Sequence, residues 1–374
     1  MNQSEKICNE LGKKFFSKSY VYENFKYFND KNNRVELCDG LFEYLDIYVA
    51  LQIKERNKST QGKSNEEWLA DVVYGEAVEQ ISETIKGIRT NAITVNDLYH
   101  QPVKLNSSYS ICPIIIFDNP SITKYKRLIC LENLEKTIVN VFNLADYKAM
   151  METLVHPYDI IYYLQERASW LNQTQGLPNI ALGDGDNVNI IAKIDTEEDF
   201  ASFFEHFIYD GYMNKKEDAL QLLSLINQFR DKQVKKCPQY KTILHILQKV
   251  EPKVATPFME RFWYAWNNAC KNIIDFSKAI CLLEGNKKTS IVFFSATSKL
   301  AKPDYYQMLC DAKQQQHKVD AVLLIVFIGE SQTDCRIDWI YFNRPFIEEP
   351  DVLNEYIKMG LIPPEYKITM PDKE

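Results

Sequence analysis

Three side chains of different chemistry, Asp39, Gln52 and Lys54, stand in the stretch VELCDGLFEYLDIYVALQIKER, residues 35–56. In a strand, successive side chains leave on opposite faces, so positions i and i+2 project together. Ile47, Val49, Leu51 and Ile53 form one aliphatic face; Tyr48, Ala50, Gln52 and Lys54 form another that turns polar at the strand's end. Asp39 interrupts an apolar run on the preceding strand. A hard divalent cation takes oxygen ligands, and an Asp carboxylate with the Gln52 side-chain carbonyl supplies two. The Ile53 backbone carbonyl is a further candidate. Mg²⁺ (or Mn²⁺) at such a place polarises a phosphoryl oxygen and lowers the pKa of bound water. Lys54 then orients that water or stabilises charge on the phosphorane oxygens. The chemistry this trio suits is phosphodiester hydrolysis.

Other residues are candidates at the edge of the same site. Glu10 lies on the flank of an Ile7/Leu11/Phe15 stripe in a helix predicted over 4–18, placed as an extra metal ligand or as a solvated surface acid. Glu36 is three positions from Asp39, so a bulge is required for both to reach one metal. Gln80 falls in line with Val73, Ala77 and Thr84, the face expected to pack on the sheet, where a buried amide needs a partner. Lys58 and Lys63 sit in the loop after the second strand, positioned for nucleic-acid phosphates.

The elements that must hold these residues read as follows. Strands are predicted over 34–44 and 47–56, joined near Leu45–Asp46 as a β-hairpin. A helix follows over 66–89, then strands at 109–118, 125–131 and 137–142. Helices are predicted at 158–171, 198–209, 216–230, 240–249 and 257–284. The last part alternates: strand 290–295, helix 303–314, strands 319–328 and 336–342, helix 352–359. The Gly, Pro, Asn and Asp cluster at 176–187 is the expected internal boundary, dividing the chain into 1–175 and 176–374.

Composition narrows the class. The chain has 374 residues, 45% hydrophobic, with 12 Gly and 14 Pro, which suits a folded α/β protein rather than a repeat or disordered polymer. The net charge is −7; residues 1–63 carry a net +2 and the remainder −9, so any polyanion partner is expected at the N-terminal part. Nine cysteines are scattered with no CxxC pair, which excludes a zinc site of the usual thiolate spacing and fits reduced thiols in a cytoplasmic protein. The opening MNQSEKICNE has no apolar core, and the aliphatic run 321–329 is too short for a bilayer, so no membrane role is expected.

Asp39, Gln52 and Lys54 together resemble the D…(D/E/Q)xK signature of the PD-(D/E)xK nuclease superfamily, in the QxK form of Mrr-like restriction endonucleases. Phe16-Ser17 through Asn24, then Glu36-Leu37-Cys38-Asp39, are similar to a family of bacterial, phage-defence-type proteins with an ELCD motif. Asp159, Tyr163-Leu164 and Arg167 in DIIYYLQER resemble that family's downstream D-F-x-x-YL-x-x-R element. The resemblance implies a restriction-endonuclease-like mixed β-sheet core flanked by helices in 1–175. It implies a helical and α/β C-terminal part with a regulatory or substrate-recognition role. The implied partners are nucleic acid, chiefly DNA, and a defence-system protein or a second copy of the chain. The alternative expectation is a catalytically weakened nuclease fold that binds nucleic acid or protein, since Gln52 replaces a carboxylate.

Several patterns are decoys. Gly62-Lys63-Ser64 ends a P-loop pattern whose first glycine would stand at Asn57. Asp184-Gly185-Asp186-Asn187 lacks a twelve-residue loop closed by Glu. The five histidines are isolated, the 258–266 aromatics have helical core spacing, and Lys232, Lys235, Lys236 and Lys241 read as a solvated helix end.

Overall fold

The structure, a computed structural model, describes residues 2–16, 21–23, 26–28, 34–36, 38–56, 62–90, 93–97, 102–123, 125–174, 216–227, 238–277, 279–284 and 287–360. The predicted helix at 198–209, the 176–187 cluster, Lys58, Lys232, Lys235 and Lys236 lie outside them. The fold is mixed α/β, in two compact units, Met1–Asp231 and Lys232–Glu374.

The first unit is built on an eight-stranded mixed sheet. Its strands are β1 (Val21–Glu23), β4 (Gly40–Tyr44), β5 (Ile47–Glu55), β6 (Thr94–Asp97), β7 (Pro102–Lys104), β8 (Ser110–Asp118), β9 (Leu128–Leu131) and β10 (Thr137–Asn143), in the order β7-β6-β1-β4-β5-β8-β10-β9. Two further strands, β2 (Lys26–Phe28) and β3 (Arg34–Glu36), form a separate ribbon. The predicted strand 34–44 is therefore two strands, interrupted just before Gly40. The hairpin β4–β5 is antiparallel with Leu41 opposite Ala50, and Leu45 takes φ 53° in its tight turn. β5 then runs parallel to β8, with Gln52 opposite Ile115 and Glu55 opposite Asp118.

Helices cover both faces of this sheet, which is why its central strands are near-continuous apolar runs. Val49, Leu51 and Ile53 join Ile114, Ile116 and Phe142 in one core, beneath α1 (Gln3–Phe15), α4 (Leu144–Leu154), α5 (Pro157–Thr174) and α6 (Lys216–Asn227). Tyr48 and Ala50 join Ile115, Phe117 and Val141 in the other, beneath α2 (Asn65–Trp68), a π-helical stretch (Leu69–Glu76) and α3 (Ala77–Arg89). The alternation expected for residues 47–54 holds, but both faces are core until the strand end. α6 gives Ala219 and Leu223 to the first core, so the division falls after Asp231 and not at 175/176. On α1, Gly12 lies so close to β4 that a Cβ there would meet the Phe42 ring at 2.2 Å.

The second unit opens with α7 (Pro238–Gln248) and α8 (Pro252–Cys270). The predicted helix 257–284 stops at Cys270: Asn272 adopts φ 56°, and the Ile-rich run beyond it is extended. β11 (Asp275–Phe276) and β12 (Ile280–Glu284) both pair antiparallel with β13 (Lys287–Ala296). Then come α9 (Pro303–His317), β14 (Ala321–Gly329) parallel to β13, β15 (Cys335–Asn343) antiparallel to β14, and α10 (Pro350–Lys358). In the first unit β4–β5, α2–α3 and β8 follow a related course, with β6 and β7 inserted between α3 and β8. The face of β13 beneath its crossover helix carries Val292, Phe294 and Ala296. Of the 258–266 aromatics expected in the core, Phe258 and Phe262 are there, packed edge-on against Phe293 and Phe327, whereas Trp263 and Tyr264 are exposed. No described helix is long and apolar enough to cross a membrane.

Candidate functional site

Asp39 stands immediately before β4. Its N–H donates to the Leu51 carbonyl at 2.9 Å, although Leu51 is already the ladder partner of Gly40, so the pairing slips by one residue at this point. Beyond that point the backbone of the first strand turns away, and the Asp39 carboxylate serves as the next acceptor. Its Oδ2 receives the Ile53 N–H at 2.6 Å and the Gln52 Nε2 at 2.8 Å. The N–H and C=O of one strand residue leave on the same side. The Ile53 carbonyl therefore opens towards the side on which Asp39 lies. Asn9 of α1 donates Nδ2 to the Asp39 carbonyl at 3.1 Å and fixes the turn from beneath.

Gln52 is 6% exposed, and its Oε1 is buried with no hydrogen-bond partner. Such an oxygen costs about 1–3 kcal/mol unless something satisfies it. The amide has one end on a carboxylate and the other on nothing, inside a covered sheet face. Lys54, two residues on, points to the same face with 12% of its side chain exposed. Its Nζ meets Glu76 Oε1 at 2.6 Å. Glu76 ends the π-helical stretch, where the Ala77 N–H bonds to the Val72 carbonyl in the i→i+5 pattern. Such insertions re-aim side chains and recur at functional sites. Gln80, one turn further and between buried Ala77 and Thr84, also has a buried Oε1 without a partner. Two amide oxygens thus lack donors on one side of one sheet.

The remaining candidates are placed elsewhere. Glu10 is exposed, on the helix that covers the opposite face from Gln52 and Lys54. It does not join the trio; its neighbour Asn9 does. Glu36 belongs to β3, which pairs with β2 outside the main sheet. Lys63 is exposed and paired with Asp71 at 2.6 Å. Ser64 caps α2: its hydroxyl accepts the Glu67 N–H at 3.1 Å, and Glu67 Oε2 accepts the Ser64 N–H at 2.8 Å. A reciprocal capping box accounts for the P-loop-like triplet. Asp159, Tyr163, Leu164 and Arg167 are all buried. Arg167 pins α5 to β10 through Asn140 Oδ1 and the Val141 carbonyl, both at 3.4 Å, with its guanidinium 4.0 Å over Phe142. That element builds the core of the opposite face.

Two features escaped the sequence reading. Glu76 stands four residues before Gln80, a spacing that signals a shared helical face, but only the π geometry brings it to Lys54. The Ser4 hydroxyl lies 3.1 Å from Glu55 Oε2 and 2.7 Å from Asp118 Oδ2, at the paired ends of β5 and β8. Cys8 nearby is buried, and its thiol is pushed up to about 12, by desolvation first and then by the negative Asp39, Asp118 and Glu5. The region around Asp39 is thus electronegative, which favours a cation.

Among the described residues no three His, Cys, Asp or Glu side chains group as a metal cluster. The oxygen donors at the strand end are one carboxylate, one unsatisfied amide oxygen and the Ile53 carbonyl, a hard set that suits Mg²⁺ or Mn²⁺ with water completing the shell. No family model, no characterised protein and no solved structure matches this chain.

Proposed function

We propose that the chain is a divalent-metal-dependent nuclease, with a restriction-endonuclease-like core in its first unit and DNA as substrate, acting in anti-phage defence. One observation carries the reading: the Gln52 amide gives its NH₂ to the Asp39 carboxylate and leaves its Oε1 buried and unsatisfied, with Lys54 on the same face. Asp39, Gln52 and the Ile53 carbonyl would hold Mg²⁺ or Mn²⁺. When bound, the metal supplies a polarised phosphoryl oxygen and a water of lowered pKa.

The chain's own groups do the rest. The Gln52 amide presents either end to Asp39, so half a turn of the amide exchanges its NH₂ for its oxygen. Lys54 Nζ donates to Glu76 Oε1 at 2.6 Å. A phosphate diester arriving at the strand end competes with Glu76 for that ammonium, which then stabilises charge on the non-bridging oxygens. Gln80 Oε1 is an acceptor for a water or a sugar hydroxyl on the same side.

The test is cleavage of supercoiled plasmid with Mg²⁺ or Mn²⁺ by wild type, Asp39→Asn and Lys54→Ala. Wild type nicks or linearises the plasmid and both variants lose at least about a hundredfold in rate, the scale of a lost electrostatic stabiliser. Equal cleavage by all three removes this site from consideration. The single carboxylate favours a second reading, a nuclease fold with weakened metal binding that serves as a nucleic-acid or protein-binding module. Calorimetric titration with Mn²⁺ separates the two: the module shows no Asp39-dependent heat.

A further inference from the structure

We infer that the second unit holds an anion pocket for a phosphate monoester, on a sugar phosphate or mononucleotide scale. The pocket encloses about 230 Å³ between α7 and the sheet edge, and is lined by Thr242, His245, Ile246, Lys249, Leu282, Lys287, Thr289 and Tyr341. Thr242, His245, Ile246 and Lys249 recur at i, i+3, i+4 and i+7, so α7 and its C-terminal turn offer one continuous face to it. The opposite wall is strand: Leu282 and Thr289 are cross-strand partners, Lys287 stands at the hairpin end, and Tyr341 comes from β15.

The lining is chemically one-sided. Two ammonium groups and an imidazole meet three hydroxyls, and among the described residues no carboxylate lines the pocket. Lysine binds phosphate as a point charge, and Thr and Tyr hydroxyls donate to the remaining oxygens. The α7 C-terminus, where partial negative charge opposes an anion, is closed off: the Lys249 and Val250 N–H groups occupy the Ile246 and Leu247 carbonyls. Ile246, which is buried, and Leu282 make an apolar floor beside the Tyr341 ring. A bare inorganic ion leaves that floor uncovered, whereas a phosphate on a small organic body covers it. The volume lies below the range of sites that engulf drug-sized ligands, roughly 300–1,000 Å³, so the fit is to a phosphate with its attached sugar. Lys241, exposed one turn before His245, extends the basic stripe towards solvent and steers anions inwards.

The experiment is equilibrium titration of the full chain, in EDTA and physiological salt, with inorganic phosphate, ribose 5-phosphate, deoxyadenosine 5′-monophosphate and deoxyadenosine. EDTA removes any metal from the Asp39 site, and the changes made at α7 and β13 leave Asp39, Gln52 and Lys54 in place, so loss of nuclease activity and loss of this binding are read separately. Saturable binding of the phosphates, weakened about tenfold or more by Lys249→Gln and again by Lys287→Gln, is the expected result, each step being the loss of one charge-assisted contact. Thr289→Val, which leaves the charges in place, lowers affinity less and guards against a folding artefact. Tighter binding of the two organic phosphates assigns the pocket to an organic ligand; equal binding of inorganic phosphate assigns it to the free ion. Deoxyadenosine binding as well as its monophosphate, no saturation in the millimolar range, or insensitivity to both lysine changes overturns the assignment.

Discussion

Gln52 is the residue on which the proposed chemistry turns, because its amide is one of the two donors to Asp39 Oδ2 and the weaker of the two side-chain ligands in the proposed metal site. Gln52→Glu sets a second carboxylate against Asp39 Oδ2, where the amide now donates at 2.8 Å. Two carboxylates at that distance cannot both ionise freely, so the pKa of the pair rises. A raised folded-state pKa stabilises below it and destabilises above it. Thermal melts in EDTA should therefore show Gln52→Glu losing on the order of 1–3 kcal/mol between pH 5 and pH 8 relative to wild type. Mg²⁺ should restore most of that loss at pH 8; no metal response in the variant counts against a cation site. Glu76→Gln is the complementary change. The ion pair with Lys54 has one half-exposed partner, so its loss costs under about 1 kcal/mol. DNA binding should tighten and depend more steeply on salt, because Lys54 no longer has a competing anion. An unchanged salt slope says Lys54 does not reach phosphate. The trio itself was legible: two-residue periodicity put Gln52 and Lys54 on one face, and Asp39 was the odd polar residue opposite. Glu10 was misplaced because a helical stripe tells which face is buried, not which side of a sheet the helix covers.

At the level of elements, close contacts set the sensitivity of each unit. Gly12→Ala drives a methyl group into the Phe42 ring, which is itself stacked on Phe16 at 5.4 Å between centroids. Neither ring has room to retreat, so the change should cost about 1–3 kcal/mol in urea unfolding, the usual range for overpacking. An unchanged midpoint means α1 can slide on β4. In the second unit, α9 turns two basic groups inwards. Burial pulls Lys313 down to about 8 from 10.5, and His317 down to about 4 from 6.5, with burial first and Lys313 second as causes for the latter. Both folded-state values lie below the unfolded ones, so the unfolded chain binds more protons inside each window. Stability of this unit should rise with pH from about 4 to 6.5 and again from about 8 to 10.5. Lys313→Met abolishes the upper rise and stabilises at pH 7 by on the order of 2–3 kcal/mol, less whatever the cation over Phe276 contributes. Denaturant midpoints at pH 7 and pH 10 decide it. Propensity missed these features for a physical reason. The π-helical stretch lies within a continuous helical segment, and short strands such as β6 and β7 carry too few residues for a period to show.

For the whole molecule, two sheets with separate cores predict two unfolding steps, one moved by Gly12→Ala and the other by Lys313→Met; a single transition shifted by both excludes that independence. The mixed α/β character was readable from alternating periodicities across the chain. The division between units was not, because the composition shift at 176–187 marks a turn-rich sequence, whereas the core that decides membership reaches on to Ala219 and Leu223.

The related winding has a practical side. The end of β13 beneath its crossover helix carries Phe294 and Ala296, and hydrocarbon offers a cation nothing to grip. If the proposed site is the active one, the second sheet serves as a blank within the same polypeptide. Cleavage that outlives Asp39→Asn cannot be blamed on that sheet, and carrying the polar trio across to it becomes the sternest trial of whether three side chains are enough.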